Sequence, residues 1–163
     1  MNKNELENQI QALFKLWIKE KDKQEVDKVR YAGPVLGEKE YENILESIFS
    51  DWWSGGKYTL DAELKLAKLS DRNFGLLTNS GSSANLLLMS AARELYFEDG
   101  DKILTLSCGF PTTVNPIITN RLRPLFVDIS LDDLSLDPQL LEDILKKDKK
   151  VKGVFIAHTL GYK

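Results

Sequence analysis

Several stretches of this sequence carry residues whose types and spacing can do chemistry. Thr78-Asn79-Ser80-Gly81-Ser82-Ser83-Ala84-Asn85 lies between a short apolar run and a helical pattern. A turn that enters a helix presents free backbone N–H groups and the positive end of the helix dipole. Gly81 lets the backbone approach an anion closely, and two serine hydroxyls can add hydrogen bonds, so the pattern suits a phosphate. The same residues suit a plainer task, because Ser82 or Ser83 can cap the helix. The stretch is not a P-loop, which needs Gly-Lys-Ser/Thr, nor a dinucleotide fingerprint of the Gly-x-Gly-x-x-Gly type.

Cys108-Gly109-Phe110-Pro111-Thr112-Thr113 follows the next strand. Ligands of an open α/β sheet bind beyond the carboxyl ends of its strands, so this loop is expected to border the same crevice as Gly81–Ser83. Phe110, fixed between Gly and Pro, either stacks on a planar ligand or packs into the core. Cys108 reads as a small buried apolar residue rather than a nucleophile, since no base accompanies it. His158 follows the last strand at the same edge, where it is either a hydrogen-bonded structural residue or a ligand contact. Asp128 ends a strand and reads as a loop organiser or cap. Lys57 follows Gly55-Gly56 and can reach a phosphate or stay solvated, while Trp52 and Trp53 read as core or interface anchors.

The elements that must position these residues follow from hydrophobic periodicity. Leu6, Ile10, Leu13, Phe14, Trp17 and Ile18 lie on one face of a first helix, with Asn4 as its cap and Glu7 returning the bond. Glu20 to Glu25 is a polar helix end or linker, and residues 31–37 are rich in breakers. A second helix is expected from about Glu38 to Trp52, with Tyr41, Ile44, Leu45, Ile48 and Phe49 inward, and a third from Asp61 to Leu69. The period then changes. Phe74–Thr78, Lys102–Leu106, Leu125–Val127 and Val151–Ala157 read as strands. Ser83–Tyr96, Thr112–Asn120 and a helix from Asp137-Pro138 to about Lys147 read as the helices between them, Pro116 limiting the second. This alternation predicts an α/β domain with a mostly parallel sheet flanked by helices.

Composition narrows the function classes. The chain has 163 residues, 42% of them hydrophobic and 29% charged, which suits a single globular domain with a real core. Lys plus Arg is 22 against 25 for Asp plus Glu, a net charge of −3, which offers no broad attraction to nucleic acid or to an anionic membrane. No apolar run reaches the roughly 18 residues of a membrane span, and the first residues lack a secretory pattern. Cys108 is the only cysteine and His158 the only histidine. An intramolecular disulfide, a Cys-only iron–sulfur or zinc site and a multi-His metal site are all excluded, so no metal ligands are assigned, and a cytoplasmic location is expected.

Taken in order, these motifs resemble the DegT/DnrJ/EryC1/StrS family, the sugar aminotransferases of fold type I that use pyridoxal phosphate. The likeness is carried by Ser80-Gly81-Ser82-Ser83-Ala84-Asn85-Leu86-Leu87, by Gly109-Phe110-Pro111-Thr112-Thr113-Val114-Asn115-Pro116, by Val127-Asp128 and by Ala157-His158-Thr159-Leu160-Gly161. Within that family the serine and proline motifs look most like the subgroup of CDP-4-keto-6-deoxyglucose 3-dehydrases, whose N-terminal extension the first helix is also similar to. The resemblance covers nearly all of the chain. It implies a helical extension over residues 1–30 and, over residues 31–163, the truncated N-terminal portion of the cofactor-binding α/β domain.

The resemblance also implies chemistry. Gly81, Ser82 and Ser83 match the turn that holds the phosphate of pyridoxal or pyridoxamine 5'-phosphate, and Phe110 matches the aromatic stacked on its ring. The family is similar to a homodimer with sites at the subunit interface, the Gly56–Tyr58 region lying near the ligand. The dehydrase removes the C3 hydroxyl of a CDP-4-keto-6-deoxy sugar on the way to 3,6-dideoxyhexoses of the lipopolysaccharide O-antigen, helped by an iron–sulfur centre and an iron–sulfur flavin reductase. Family members continue beyond the point matched by Lys163. The acid that pairs with the pyridine nitrogen, the lysine to which aminotransferases attach the cofactor, the histidine that replaces it in the dehydrase and the iron–sulfur cysteines all come later. The chain is therefore expected to be an N-terminal part that carries no catalytic residue and is inactive alone. A nucleotide-sugar aminotransferase is the alternative within the family. A non-catalytic α/β module that binds a phosphorylated ligand or a partner chain is the alternative outside it.

Overall fold

A computed structural model describes residues 2–21 and 32–161 of the chain. The polar run beyond Lys21 and the boundary expected at residues 30/31 lie outside the described residues. The chain divides into two compact units, Met1–Gly75 and Leu76–Lys163.

The first unit is helical. Helix α1 spans Lys3–Lys21. Its start is fixed by Asn2, not by Asn4 as expected: the Asn2 Oδ1 accepts from the Glu5 N–H at 2.9 Å, and Glu5 returns the bond to the Asn2 N–H at 2.9 Å. The reciprocal box needs its acid three residues on, and both Asn2 and Asn4 meet that spacing, so the sequence alone did not choose between them. Helix α2 spans Glu38–Phe49. The two helices meet through aromatic side chains, Phe14 edge-on to Tyr41 at 5.6 Å and Trp17 edge-on to Tyr41 at 5.8 Å. Lys15 bridges Glu38 and Glu42 at 3.1 and 2.7 Å, and Lys21 donates to the Tyr41 hydroxyl.

Helix α3 spans Lys57–Leu69, four residues earlier than the expected start at Asp61. Gly56 is its cap in extended conformation, so the helix begins directly after the Gly-Gly pair. Trp52 and Trp53 are exposed rather than anchored in a core; their indole N–H groups donate locally, to the Gly55 carbonyl and to Asp51. Gly75 passes so close to α3 that a Cβ there would stand 2.6 Å from the Glu63 carbonyl oxygen.

The second unit is α/β. Helix α4 spans Gly81–Tyr96, strand β1 Lys102–Leu106, helix α5 Pro111–Thr119, strand β2 Arg123–Val127, helix α6 Pro138–Lys147 and strand β3 Val151–Val154. The three strands form a parallel sheet in the order β2-β1-β3, with Leu104 opposite Leu125 on one side and Val154 on the other. Parallel neighbours need crossover connections, and α5 and α6 provide them. Successive residues of β1 point to opposite faces. Ile103 joins Met89, Ile117 and Leu122, whereas Leu104 joins Val127 and Val151 beneath Leu141 and Ile144 of α6. Both faces of β1 are thus covered, which explains why it is buried without a break from Ile103 to Leu106.

Two strand expectations fail. Phe74–Thr78 is not a strand but an irregular approach to α4, with Phe74 89% exposed. Its apolar residues have strand propensity, but propensity alone does not make a strand, and the segment forms none among the described residues. The last strand also stops at Val154, one further ladder bond running from the Phe155 N–H to the Leu104 carbonyl.

Candidate functional site

Ser80 is the cap of α4, which makes Gly81, Ser82 and Ser83 its first three residues. The Ser80 hydroxyl oxygen accepts from the Ser83 N–H at 3.2 Å. The Ser83 hydroxyl donates to the Asn79 carboxamide oxygen at 2.6 Å, and the Thr78 hydroxyl to the Ser80 carbonyl at 2.8 Å. Ser83 is therefore drawn into the turn's own network. The N–H groups of Gly81 and Ser82 have no acceptor inside the helix, as befits its first residues. Both residues are exposed. A Cβ at Gly81 would meet nothing within 4 Å, and its φ is not in the left-handed region. Nothing in the chain's own packing demands glycine there, so the space above Gly81 is open to a ligand.

Phe110 is the cap of α5, in extended conformation with φ −89° and ψ 139°. Its ring is 68% exposed and does not pack into the core. It borders a cleft at the carboxyl end of the sheet with Thr105, Cys108, Thr113, Ala157 and Thr159 among the lining. Cys108 is exposed and faces this cleft, contrary to the buried position expected of it.

Asn85 links the two helix starts. Its side-chain N–H donates to the Thr112 carbonyl at 3.3 Å, tying the first turns of α4 and α5 together. In the sequence Asn85 stands within the serine motif, and nothing local to it assigns it a task. Asp128 behaves as a loop organiser: its Oδ1 accepts from the Ile129 N–H at 2.9 Å and from the Ser107 hydroxyl at 3.3 Å, joining the ends of β1 and β2.

His158 is exposed between β3 and the short 3-10 turn Thr159–Gly161, and its carbonyl accepts from the Gly161 N–H at 3.0 Å. Lys57 belongs to the first unit. There it is the first residue of α3 and lines a cavity of about 480 Å³ with Ser50, Trp52 and Tyr58. Partial desolvation, then the Glu46 carboxylate that accepts from its hydroxyl, push the Tyr58 phenol up from its usual value. Among the described residues no cluster of three or more His, Cys, Asp or Glu could hold a metal ion, and no helix is long and apolar enough to cross a membrane.

Residues 34–163 match the family model of the DegT/DnrJ/EryC1/StrS aminotransferase family. The lipopolysaccharide biosynthesis protein RfbH of Salmonella typhimurium is 38% identical over 135 residues, which is 80% of this chain and 30% of that protein. Among solved structures, the E. coli GDP-4-keto-6-deoxy-D-mannose-3-dehydratase with bound hydrated pyridoxal phosphate superposes with a TM-score of 0.66 at 28% identity, covering 71% of this chain and 31% of that one. Helicobacter pylori PseC, an aminotransferase of pseudoaminic acid biosynthesis, gives a TM-score of 0.69 at 25% identity, covering 78% and 33%. The chain thus spans about a third of the length of these relatives.

Proposed function

The chain belongs to the DegT/DnrJ/EryC1/StrS aminotransferase family, and from that membership we propose that it is the N-terminal part of a sugar-nucleotide 3-dehydrase that works with pyridoxamine or pyridoxal phosphate. The observation that carries this reading is the open start of α4, where two exposed residues offer unused N–H groups beneath a glycine with free space above it. These residues fit the cofactor. The Gly81 and Ser82 N–H groups and the Ser82 hydroxyl hold its phosphate, while the exposed Phe110 ring supplies a stacking face. Bound there, the cofactor supplies an electron sink for breaking a bond next to a sugar ketone. The chain's own residues bind and orient.

The substrate we propose is CDP-4-keto-6-deoxyglucose, which loses its C3 hydroxyl on the way to a 3,6-dideoxyhexose of lipopolysaccharide. The 38% identity to RfbH supports it. His158 and Lys57 are its candidate contacts. The reading includes a homodimer, an iron–sulfur flavin reductase as partner, residues 1–30 as a helical extension before the cofactor-binding portion at 31–163, and a cytoplasmic location. The iron–sulfur cluster of that chemistry has no ligand set here, since Cys108 is the only cysteine. The second reading is a nucleotide-sugar aminotransferase, which the likeness to PseC favours.

Calorimetric titration of the 163-residue chain with pyridoxamine phosphate tests the site. Saturable binding is expected, and Gly81→Val should abolish it with an unchanged circular dichroism spectrum, because a Cβ at 81 meets no atom of the chain. Unchanged affinity in the variant refutes the phosphate site. Added CDP-4-keto-6-deoxyglucose should bind without turning over. The described residues that line the cleft include no lysine, histidine or carboxylate to move a proton. Loss of the C3 hydroxyl would overturn the non-catalytic part of the reading. Tighter binding of another 4-keto nucleotide sugar would overturn the choice of substrate.

A further inference from the structure

Helix α5 contains a buried proline, Pro116, in its interior. Proline has no N–H, so the helical bond that residue 116 should donate to the carbonyl four residues back is missing. That carbonyl belongs to Thr112. A partly buried carbonyl without a donor carries a desolvation penalty, and the structure needs another group to meet it. The Asn85 carboxamide of α4 does so, donating to the Thr112 oxygen at 3.3 Å. One hydrogen bond therefore accounts for two motif residues 31 positions apart, Asn85 in the serine motif and Pro116 in the proline motif (116 − 85 = 31).

The geometry has a consequence for the site. Thr112 is the second residue of α5, directly after the cap Phe110 and Pro111. Asn85 lies one turn beyond Gly81 on α4. We propose that Asn85 is a positioning residue, whose carboxamide stands in for the N–H that Pro116 lacks and thereby holds the Phe110 end of α5 in register with the Gly81–Ser83 turn. Phosphate and ring of one ligand must be gripped at a fixed separation, and this bond sets it. The proposal rests on the cofactor reading above for its ligand, but not for its structural half.

The test uses the full chain and three variants, Asn85→Ala, Pro116→Ala and the double variant. Asn85→Ala should lower the melting temperature and weaken pyridoxamine phosphate binding about tenfold, the size expected for losing one buried hydrogen bond. Inorganic phosphate, which touches only the α4 start, should bind as before. In the double variant the backbone N–H that Pro116→Ala restores can satisfy the Thr112 carbonyl within α5, so the melting temperature should recover while pyridoxamine phosphate affinity stays low. Recovery of both would make Asn85 a stability residue only and overturn the proposal, as would undiminished affinity in Asn85→Ala. A cofactor-free readout separates this from failure of the cofactor reading. Amide NMR shifts at Gly81 and at Phe110 should move together in Asn85→Ala. Joint movement without any cofactor binding by the parent chain supports the positioning role and refutes only the cofactor. Shifts confined to residues next to Asn85 overturn the positioning role.

Discussion

Helices α4 and α6 start in opposite ways. At α6, Pro138 has no N–H to offer, and the Asp137 Oδ1 accepts from the Gln139 and Leu140 N–H groups at 2.8 and 3.5 Å. The helix end is closed by the chain's own anion. At α4, a neutral serine takes only the Ser83 N–H, and Gly81 and Ser82 keep theirs. The dipole is the same in kind, yet one end is neutralised from within and the other is left for something from outside. A helix start becomes a site by what its cap leaves undone.

The largest expected effect comes from giving α4 the cap of α6. Ser80→Asp keeps a side-chain acceptor for the Ser83 N–H but puts a carboxylate where the phosphate charge would sit. Unit charges about 4 Å apart near a surface repel by up to about 4 kcal/mol. Pyridoxamine phosphate and inorganic phosphate should both be lost in calorimetry, with the melting temperature held or raised. Retained binding would mean that the anion does not sit at this end of α4.

Phe110→Ala sharpens the contrast from the other side of the site. Loss of a stacked ring weakens binding by about 1–3 kcal/mol. Pyridoxamine phosphate should lose that much affinity, and inorganic phosphate none. Equal losses for both ligands would mean that the residue supports the turn rather than the ring.

Asp137→Ala opens the closed end. Removing an aspartate cap lowers stability by about 1 kcal/mol, to be read as a shift in the denaturant midpoint, with cofactor affinity untouched. The smallest effect is at the other end of α6. The Lys102 ammonium, then the Lys150 N–H, hold the Asp148 carboxyl below its usual range. A carboxyl lowered in the folded chain contributes stability that is present above the ordinary carboxylate range and is lost as pH falls through the folded value. Mild acid should lower the melting temperature of the parent more than that of Asp148→Asn.

The closed end was readable in the sequence because Asp137 and Pro138 are adjacent and each allows only one position in a helix start. The open end was readable only as a region. Asn79, Ser80, Ser82 and Ser83 are all residues that cap helices, and local chemistry does not rank them; the true cap, Ser80, lies two or three residues before the expected Ser82 or Ser83. Phe74–Thr78 has the propensity of a strand but forms none among the described residues, and sheet pairing is not a local property. The bond from Asn85 to Thr112 spans 27 positions, and neither residue announces it. Pro116 was the available signal. A proline inside a helix leaves a carbonyl that some other residue must serve, and the question of which residue was there to be asked.

The order β2-β1-β3 also sets a timetable. Lys102 pairs with Arg123 on one flank and with Val151 on the other. A ribosome that has just released Val127 must add 150 − 127 = 23 more residues before β3 begins, roughly 1–5 seconds at 5–20 residues per second. Through that interval the most apolar strand of the molecule has one open flank, ready to pair with any other nascent strand. Cellular yield should therefore depend on how quickly codons 128–151 are read, and slow codons placed there should send more of the chain into inclusion bodies without changing a single contact of the finished fold.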